Sequence, residues 1–174
     1  GTGGLRGTIG AGTNRMNVYT VAKASQGLAD YLVKKFSRPS VVIGFDSRIK
    51  SDVFARTAAS VFAANGVLTH LWPHLNPVPT VSFAVRYLSA SAGIMITASH
   101  NPSKYNGYKV YGEDGCQITT KAAAEILGEI EKLDIFIDVK RLDFDAAVSE
   151  GKITYISEDV LTAFIENVKN QSVL

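Results

Sequence analysis

The sequence predicts an α/β fold, a mostly parallel sheet flanked by helices. Short β-branched runs alternate along the chain with longer stretches in which apolar residues recur at helical spacing, and the loops between them are only a few residues long. Parallel neighbours require a crossover connection, and right-handed crossovers place helices on the faces of the sheet.

The first helix is expected over Asn17 to Phe36, where Val21, Ala24, Leu28 and Leu32 recur at helical spacing and Pro39 follows the end. Val41 to Phe45 reads as a strand ending in Asp46. Ser51-Asp52 then offers an N-cap to a helix running toward Asn65-Gly66. Val67 to Leu71 is a second strand, Pro77-Val78-Pro79-Thr80 a turn into a helix over Val81 to Leu88, and Gly93 to Ile96 a third, buried strand. After a polar loop, Tyr108 to Tyr111 is a strand with Tyr111 near a sheet edge. Glu113-Asp114-Gly115 is a turn, and a helix follows from about Thr120 to Lys132. Residues 134 to 157 carry mixed signals. Ser157 opens an amphipathic stretch with Val160, Leu161, Phe164, Ile165 and Val168 on one stripe, a helix expected to belong to a neighbouring domain.

With 174 residues, 46% hydrophobic and 20% charged, the chain is long enough for one sizeable core. Its 18 Lys and Arg against 16 Asp and Glu leave a formal charge of +2, which excludes the basic footprint of a nucleic-acid binder, so any anion site must be local. The single Cys116 makes no internal disulfide, and no apolar run reaches the roughly 18 residues of a membrane span. A soluble, cytoplasmic protein without membrane or nucleic-acid partners is therefore expected. The opening at Gly1 without Met and the close just after a helical pattern suggest a piece of a longer protein.

Chemistry concentrates in Thr97-Ala98-Ser99-His100-Asn101-Pro102, immediately after the buried strand and so at a carboxyl end of the sheet, where open α/β folds bind ligands. Small residues let the backbone turn tightly, and the loop offers a hydroxyl, an imidazole and an amide. Lys109 returns on the next strand, and with Lys104, His100, Arg6 and Arg48 it forms a set of cations suited to phosphoryl transfer, which depends on positioning and positive charge. On residue chemistry alone, such a loop is more often turn capping than catalysis. Rival motifs are weaker. Gly1, Gly3 and Gly7 do not satisfy G-x-G-x-x-G, and Thr97 and Asn101 stand where G-x-S-x-G needs glycine. Tyr105, Tyr108 and Tyr111 read as packing rather than a base-stacking platform, and Asp143-Phe144-Asp145 as a solvated loop lacking the glycines of a cation site.

Thr97 to Pro102 followed by Tyr105-Asn106-Gly107-Tyr108-Lys109 closely resembles the active-site serine loop of the α-D-phosphohexomutase superfamily, the phosphoglucomutase and phosphomannomutase family. Gly1-Thr2-Gly3-Gly4-Leu5-Arg6-Gly7 and Gly44-Phe45-Asp46-Ser47-Arg48 fall where that family's first domain would have them. The opening together with Asn14-Arg15-Met16-Asn17 looks most like the phosphoglucomutase and phosphopentomutase branch. The resemblance covers residues 1–157 and implies a three-layer α/β/α sandwich with a mixed, mostly parallel sheet, followed by a helix over 158–174 that leads into a second domain.

The resemblance further implies that Ser99 carries a phosphoryl group, gives it to a sugar monophosphate and takes one back from the bisphosphorylated intermediate. Lys109 is implied to assist proton movement and Arg6 to lie close to the reacting phosphate. His100 either contacts the phosphate or shapes the loop, and Arg48 is divided in the same way between site and scaffold. Thr2 and Asn101 join Arg6, Arg48, His100 and Lys109 as implied phosphate-binding or substrate-binding residues. In the family, one Mg2+ is held by an oxygen of the serine phosphate and by three aspartates of an Asp-Gly-Asp-Gly-Asp loop, a motif this sequence lacks. The metal cage is thus expected outside this chain, with Ser99 its only contribution, through the phosphate. The implied activity interconverts sugar 1-phosphate and 6-phosphate, most simply of glucose, with glucose 1,6-bisphosphate as activator. The implied partners are a phosphorylated hexose and the remaining domains of the same polypeptide. Mannose and pentose phosphates are the alternative substrates, and a non-catalytic sugar-phosphate binding module is the alternative role.

Overall fold

The structure, a computed structural model, describes residues 3–172. Among them, strands β1 (Gly4–Thr8), β2 (Ser40–Phe45), β3 (Leu68–Leu71), β4 (Ala92–Ile96), β5 (Tyr105–Gly112) and β6 (Ile153–Tyr155) form one sheet in the order β1-β5-β4-β2-β3-β6. The four strands from β4 to β6 along that order pair in parallel, while β5 runs antiparallel to both β4 and β1. This is the mixed, mostly parallel sheet expected.

Helices α1 (Val18–Lys35), α2 (Ser51–Ala64), α4 (Thr120–Glu131) and α5 (Phe144–Ser149) cover one face, and α3 (Val78–Tyr87) and α6 (Glu158–Lys169) cover the other. Strand alternation assigns the two cores: Val41, Ile43, Ile94, Ile96, Tyr108 and Val110 face α1 and α2, whereas Val42, Met95 and Tyr111 face α3 and α6. Burying each such aliphatic side chain contributes about 1.5–3 kcal/mol. On α1, Asn17 closes a capping box with Thr20, which fixes where the helix starts.

Several expectations are corrected. The N-cap of α2 is Lys50, in a left-handed conformation with φ of 62°, and Ser51 instead donates to the Asp46 carboxylate at 2.9 Å. Helix α3 begins at Val78, because proline is tolerated in a first turn whose N–H groups have no helical acceptor. Tyr111 lies on β5 beyond the end of β1, paired with Gly93 of β4 and bridged to Gln117 on its other side, and is buried. Asp143-Phe144-Asp145 opens α5: Asp143 accepts from the Ala146 N–H at 2.9 Å and Asp145 pairs with Arg56 at 3.3 Å. Strand β1 was not expected at all, since Gly4 and Gly7 bring no side chain and no alternation marks the segment. The mixed region also yields an edge strand, β6. Helix α6 docks on α3, with Phe164 edge-on to Phe83 at a centroid distance of 5.6 Å, while Ile165 and Val168 stay exposed.

Gly107 sits where β1, β5 and the end of β4 converge. A Cβ there would stand 2.5 Å from the Thr97 carbonyl oxygen and 2.9 Å from that of Leu5. Gly107→Ala must part backbone from backbone and is expected to cost about 1–3 kcal/mol, seen as a lower thermal unfolding midpoint. An unchanged midpoint would show that the strands can separate freely.

On β3, burial lowers the pKa of His70, whose Nδ1 lies 3.0 Å from Thr154 Oγ1 of β6. The unfolded chain therefore takes up a proton near the ordinary value of 6.5 more readily than the folded chain does. Stability present above that pH should fall as the pH drops through it. The urea midpoint of the wild type should decline more steeply between neutral and mildly acid pH than that of His70→Gln, and parallel curves would refute the assignment.

Candidate active site

Parallel register brings Phe45 of β2 opposite Ile96 of β4, so the loops that follow them leave the sheet side by side at its carboxyl edge. The Asp46 N–H continues the ladder to the Ile96 carbonyl at 3.2 Å. The second loop must reverse into antiparallel β5, and the Thr97 N–H closes the reversal on the Gly107 carbonyl at 3.0 Å. Thr97 and Ala98 are buried, whereas Ser99 and His100 stand exposed at the crest.

Ser99 has φ of 56°, a left-handed backbone that costs a residue with a side chain about 1–2 kcal/mol. Local bonds hold it there. The Ser99 N–H donates to Thr97 Oγ1 at 2.9 Å, the Asn101 N–H to the Ala98 carbonyl at 3.1 Å and the Tyr105 N–H to the Pro102 carbonyl at 2.9 Å. Strain of this kind gathers at functional positions.

Arg48 reaches under the loop from the neighbouring one. Its Nη2 donates to the carbonyls of Ser99 at 2.7 Å and Asn101 at 2.6 Å, and its Nη1 to those of Pro102 at 3.2 Å and Tyr105 at 3.1 Å. Asp46 anchors the arginine, with Oδ2 3.7 Å from Arg48 Nε and Oδ1 accepting from the Arg48 N–H at 3.0 Å. Fully buried Asn106 extends the chain of bonds, donating to Ser51 Oγ and to the Ile49 carbonyl, each at 3.0 Å. Asp46, Ser51 and Asn106 were not singled out as site residues from the sequence. Asp46 and Asn106 lie inside the matched motifs, but no local pattern gives their partners.

From β1, Arg6 donates through Nη1 to Asn101 Oδ1 at 2.7 Å. The register Arg6↔Gly107 and Gly4↔Lys109 puts Arg6 and Lys109 on one face of the sheet as diagonal neighbours, with side-chain-free Gly107 between them. His100 Nδ1 is 3.4 Å from Ser99 Oγ. The structure thus gathers Ser99, His100, Asn101, Arg6 and Arg48, and sets Lys109 on the adjoining strand without a hydrogen bond to the loop. Thr2 lies outside the described residues. Arg15, unremarked from the sequence as a site residue, donates to Thr8 Oγ1 at 2.7 Å, two positions along β1 from Arg6.

Among the described residues, no carboxylate pairs with Arg6, Lys104 or Lys109. An exposed hydroxyl among uncompensated cations attracts an anion. The residues present do not fit a divalent cation on their own. Both Asp46 oxygens are committed to Arg48 and Ser51, and no group of three His, Cys, Asp or Glu side chains stands together among the described residues. A groove of about 640 Å³, lined by apolar Ile9, Met16, Val53, Phe54 and Phe136 with Lys50 as its one cation, includes no residue of the Ser99 loop and lacks the cation cluster that a phosphate needs.

Residues 1–135 match the family model for phosphoglucomutase/phosphomannomutase, alpha/beta/alpha domain I. The chain belongs to this family. A phosphoglucomutase of Staphylococcus saprophyticus is 42% identical over 170 residues, covering 98% of this chain and 31% of that protein. A Schizosaccharomyces pombe protein named "Probable phosphoribomutase" is 52% identical over 135 residues, covering 76% of this chain and 23% of its own. The crystal structure of a Thermus thermophilus protein described as a phosphomannomutase superposes with a TM-score of 0.76 at 28% identity, over 91% of this chain and 32% of its own. The chain therefore spans about a third of the length of the phosphoglucomutase it matches.

The left-handed backbone at Ser99 generates a prediction independent of activity. Ser99→Gly should raise the thermal midpoint slightly, by the equivalent of about 1 kcal/mol, and Ser99→Val should lower it, since a β-branched residue is an outlier there. A lower midpoint for Ser99→Gly would show that the conformation carries no strain.

Proposed function

We propose that this chain is the phosphoserine-bearing domain of a phosphoglucomutase-type enzyme that interconverts sugar 1-phosphate and sugar 6-phosphate. The observation that carries the reading is Ser99, exposed in a left-handed turn beside cations without carboxylate partners, in a chain of this family. In the forward half-reaction the bond from phosphorus to Ser99 Oγ breaks as a bond to a sugar hydroxyl forms. That hydroxyl loses its proton with the help of Lys109. The bisphosphorylated sugar then returns its other phosphoryl group to Ser99 after turning over, so no nucleotide is consumed.

Arg6 neutralises charge around the transferred group, His100 offers it a ring N–H, and Asn101 holds the Arg6 guanidinium toward the loop. Thr2 is assigned to phosphate binding by the motif alone. A Mg2+ ion, contacting this chain through the Ser99 phosphate and held by aspartates of the remaining polypeptide, would supply further charge neutralisation when bound. In this reading residues 1–157 form the first domain, 158–174 lead into the second, and the protein acts in the cytoplasm. Among the described residues, no helix is long and apolar enough to cross a membrane.

A second reading, a pentose phosphate as substrate, is favoured by the 52% identity to the fission-yeast relative. Comparing kcat/KM for glucose 1-phosphate and ribose 1-phosphate separates the two.

Peptide mass spectrometry of the full-length protein, with and without glucose 1,6-bisphosphate, should find one phosphate on Ser99 that exchanges with added sugar phosphate. Ser99→Ala should abolish turnover, and Lys109→Met should depress kcat far more than stability. Persistent absence of phosphate on Ser99 would point instead to a binding module, and near-normal turnover by Ser99→Ala would sink the carrier mechanism.

A further inference from the structure

The structure assigns Arg48 a positioning role: it turns the backbone of the Ser99 loop so that peptide N–H groups, and not carbonyl oxygens, face a phosphoryl group on Ser99. The inference rests on the proposed phosphoserine and adds a residue that acts through the loop rather than on the substrate. A guanidinium has five N–H donors and no acceptor. Here Nη1 and Nη2 each serve two loop carbonyls, and Nε faces Asp46. The side chain is 14% exposed, so little of it remains for a substrate anion.

The consequence follows from peptide planarity. The loop contains no cis peptide, and in a planar trans peptide the C=O of one residue and the N–H of the next point in opposite directions. With the Ser99 carbonyl drawn onto Arg48 at 2.7 Å, the His100 N–H is directed away from the guanidinium. The Pro102 carbonyl, drawn to 3.2 Å, does the same for the Ser103 N–H. Among the described residues neither N–H has a protein acceptor. These two open N–H groups flank the crest on which Ser99 stands in its left-handed turn, while those of Ser99 and Asn101 are held inside the loop, and uncommitted backbone N–H groups are donors suited to phosphate oxygens.

Lysine cannot substitute, because its three donors radiate from one point and do not span four carbonyls. Asp46 and Ser51 set the angle of the fork, and fully buried Asn106 ties that anchor to the strand on which the loop ends.

The test uses the full-length protein carrying Arg48→Lys or Arg48→Gln. Both variants should lower kcat at least tenfold while KM for the sugar phosphate changes less than threefold, because an orienting device is removed and a substrate contact is not. A tenfold rise in KM with kcat unchanged would make Arg48 a direct substrate ligand and overturn the proposal, as would wild-type kinetics. Ser51→Ala removes the bond to Asp46 and the one accepted from Asn106, leaves the arginine in place and remains informative if the arginine variants do not fold; it should lower kcat a few-fold at constant KM, and an unchanged kcat counts against the proposal. A crystal structure of a variant reads the loop directly. A rotated Ser99–His100 peptide supports the assignment and an unmoved one overturns it. Failure of the phosphoserine reading would appear in the wild type, as a Ser99 that never carries phosphate, whereas failure of this inference appears only in the variants.

Discussion

Parallel pairing of β2 with β4, in register from Val41↔Ala92 to Phe45↔Ile96, decides where the site's parts stand. Two parallel strands of matched length end together, so the loops that leave them must share space. Here they do so through Arg48, which crosses from the first loop to four carbonyls of the second. The following strand then has to run back along β4, and the Thr97 to Gly107 bond makes that reversal tight. Antiparallel β5 in turn recruits β1, and with it Arg6. Each contact at the crest of the loop thus inherits its position from a buried, apolar pairing several residues below it.

This hierarchy explains what the sequence could and could not disclose. Periodicity and caps are local signals, and they located α1, α2, α4 and α6 closely because amphipathic helices carry their own pattern. Strand β1 has almost no pattern to read: Gly4 and Gly7 bring no side chain, and the strand exists because β5 offers it an edge. Strand β6 is short and takes its place from the open edge of β3. Ser51 looked like a cap because its type favours caps; it is instead the first helical residue, its hydroxyl donating to the Asp46 carboxylate and its oxygen accepting from the Asn106 amide.

The site divides along the same line. The proximity of Ser99, His100 and Asn101, with Lys109 on the adjoining strand, was legible because these candidates fall in one contiguous motif, and Arg6 was a candidate because its own segment matches. The contacts of Arg48 were not legible. Its partners are backbone carbonyls 51–57 residues away, and carbonyls are identical in every residue type, so no sequence pattern records them. Asn106 hides for a related reason: a buried amide that bridges a hydroxyl and a carbonyl looks, in sequence, like any loop asparagine.

Arg6 and Arg48 show how donor counting separates roles that residue type leaves equal. Both are arginines beside the same loop. Arg48 has its Nη donors saturated by carbonyls, is largely buried and faces a carboxylate, so it stiffens the backbone. Arg6 is exposed and is bonded through one Nη1 contact to Asn101, which leaves most of its fork open. A buried, saturated cation adds shape, since Asp46 and the carbonyl dipoles absorb its charge. An exposed, unsaturated one adds field, because nothing in the chain cancels it before an anion arrives. The parallel pair β2–β4 brings the first kind of cation, Arg48, to the Ser99 loop, and the antiparallel pair β5–β1 brings the second, Arg6.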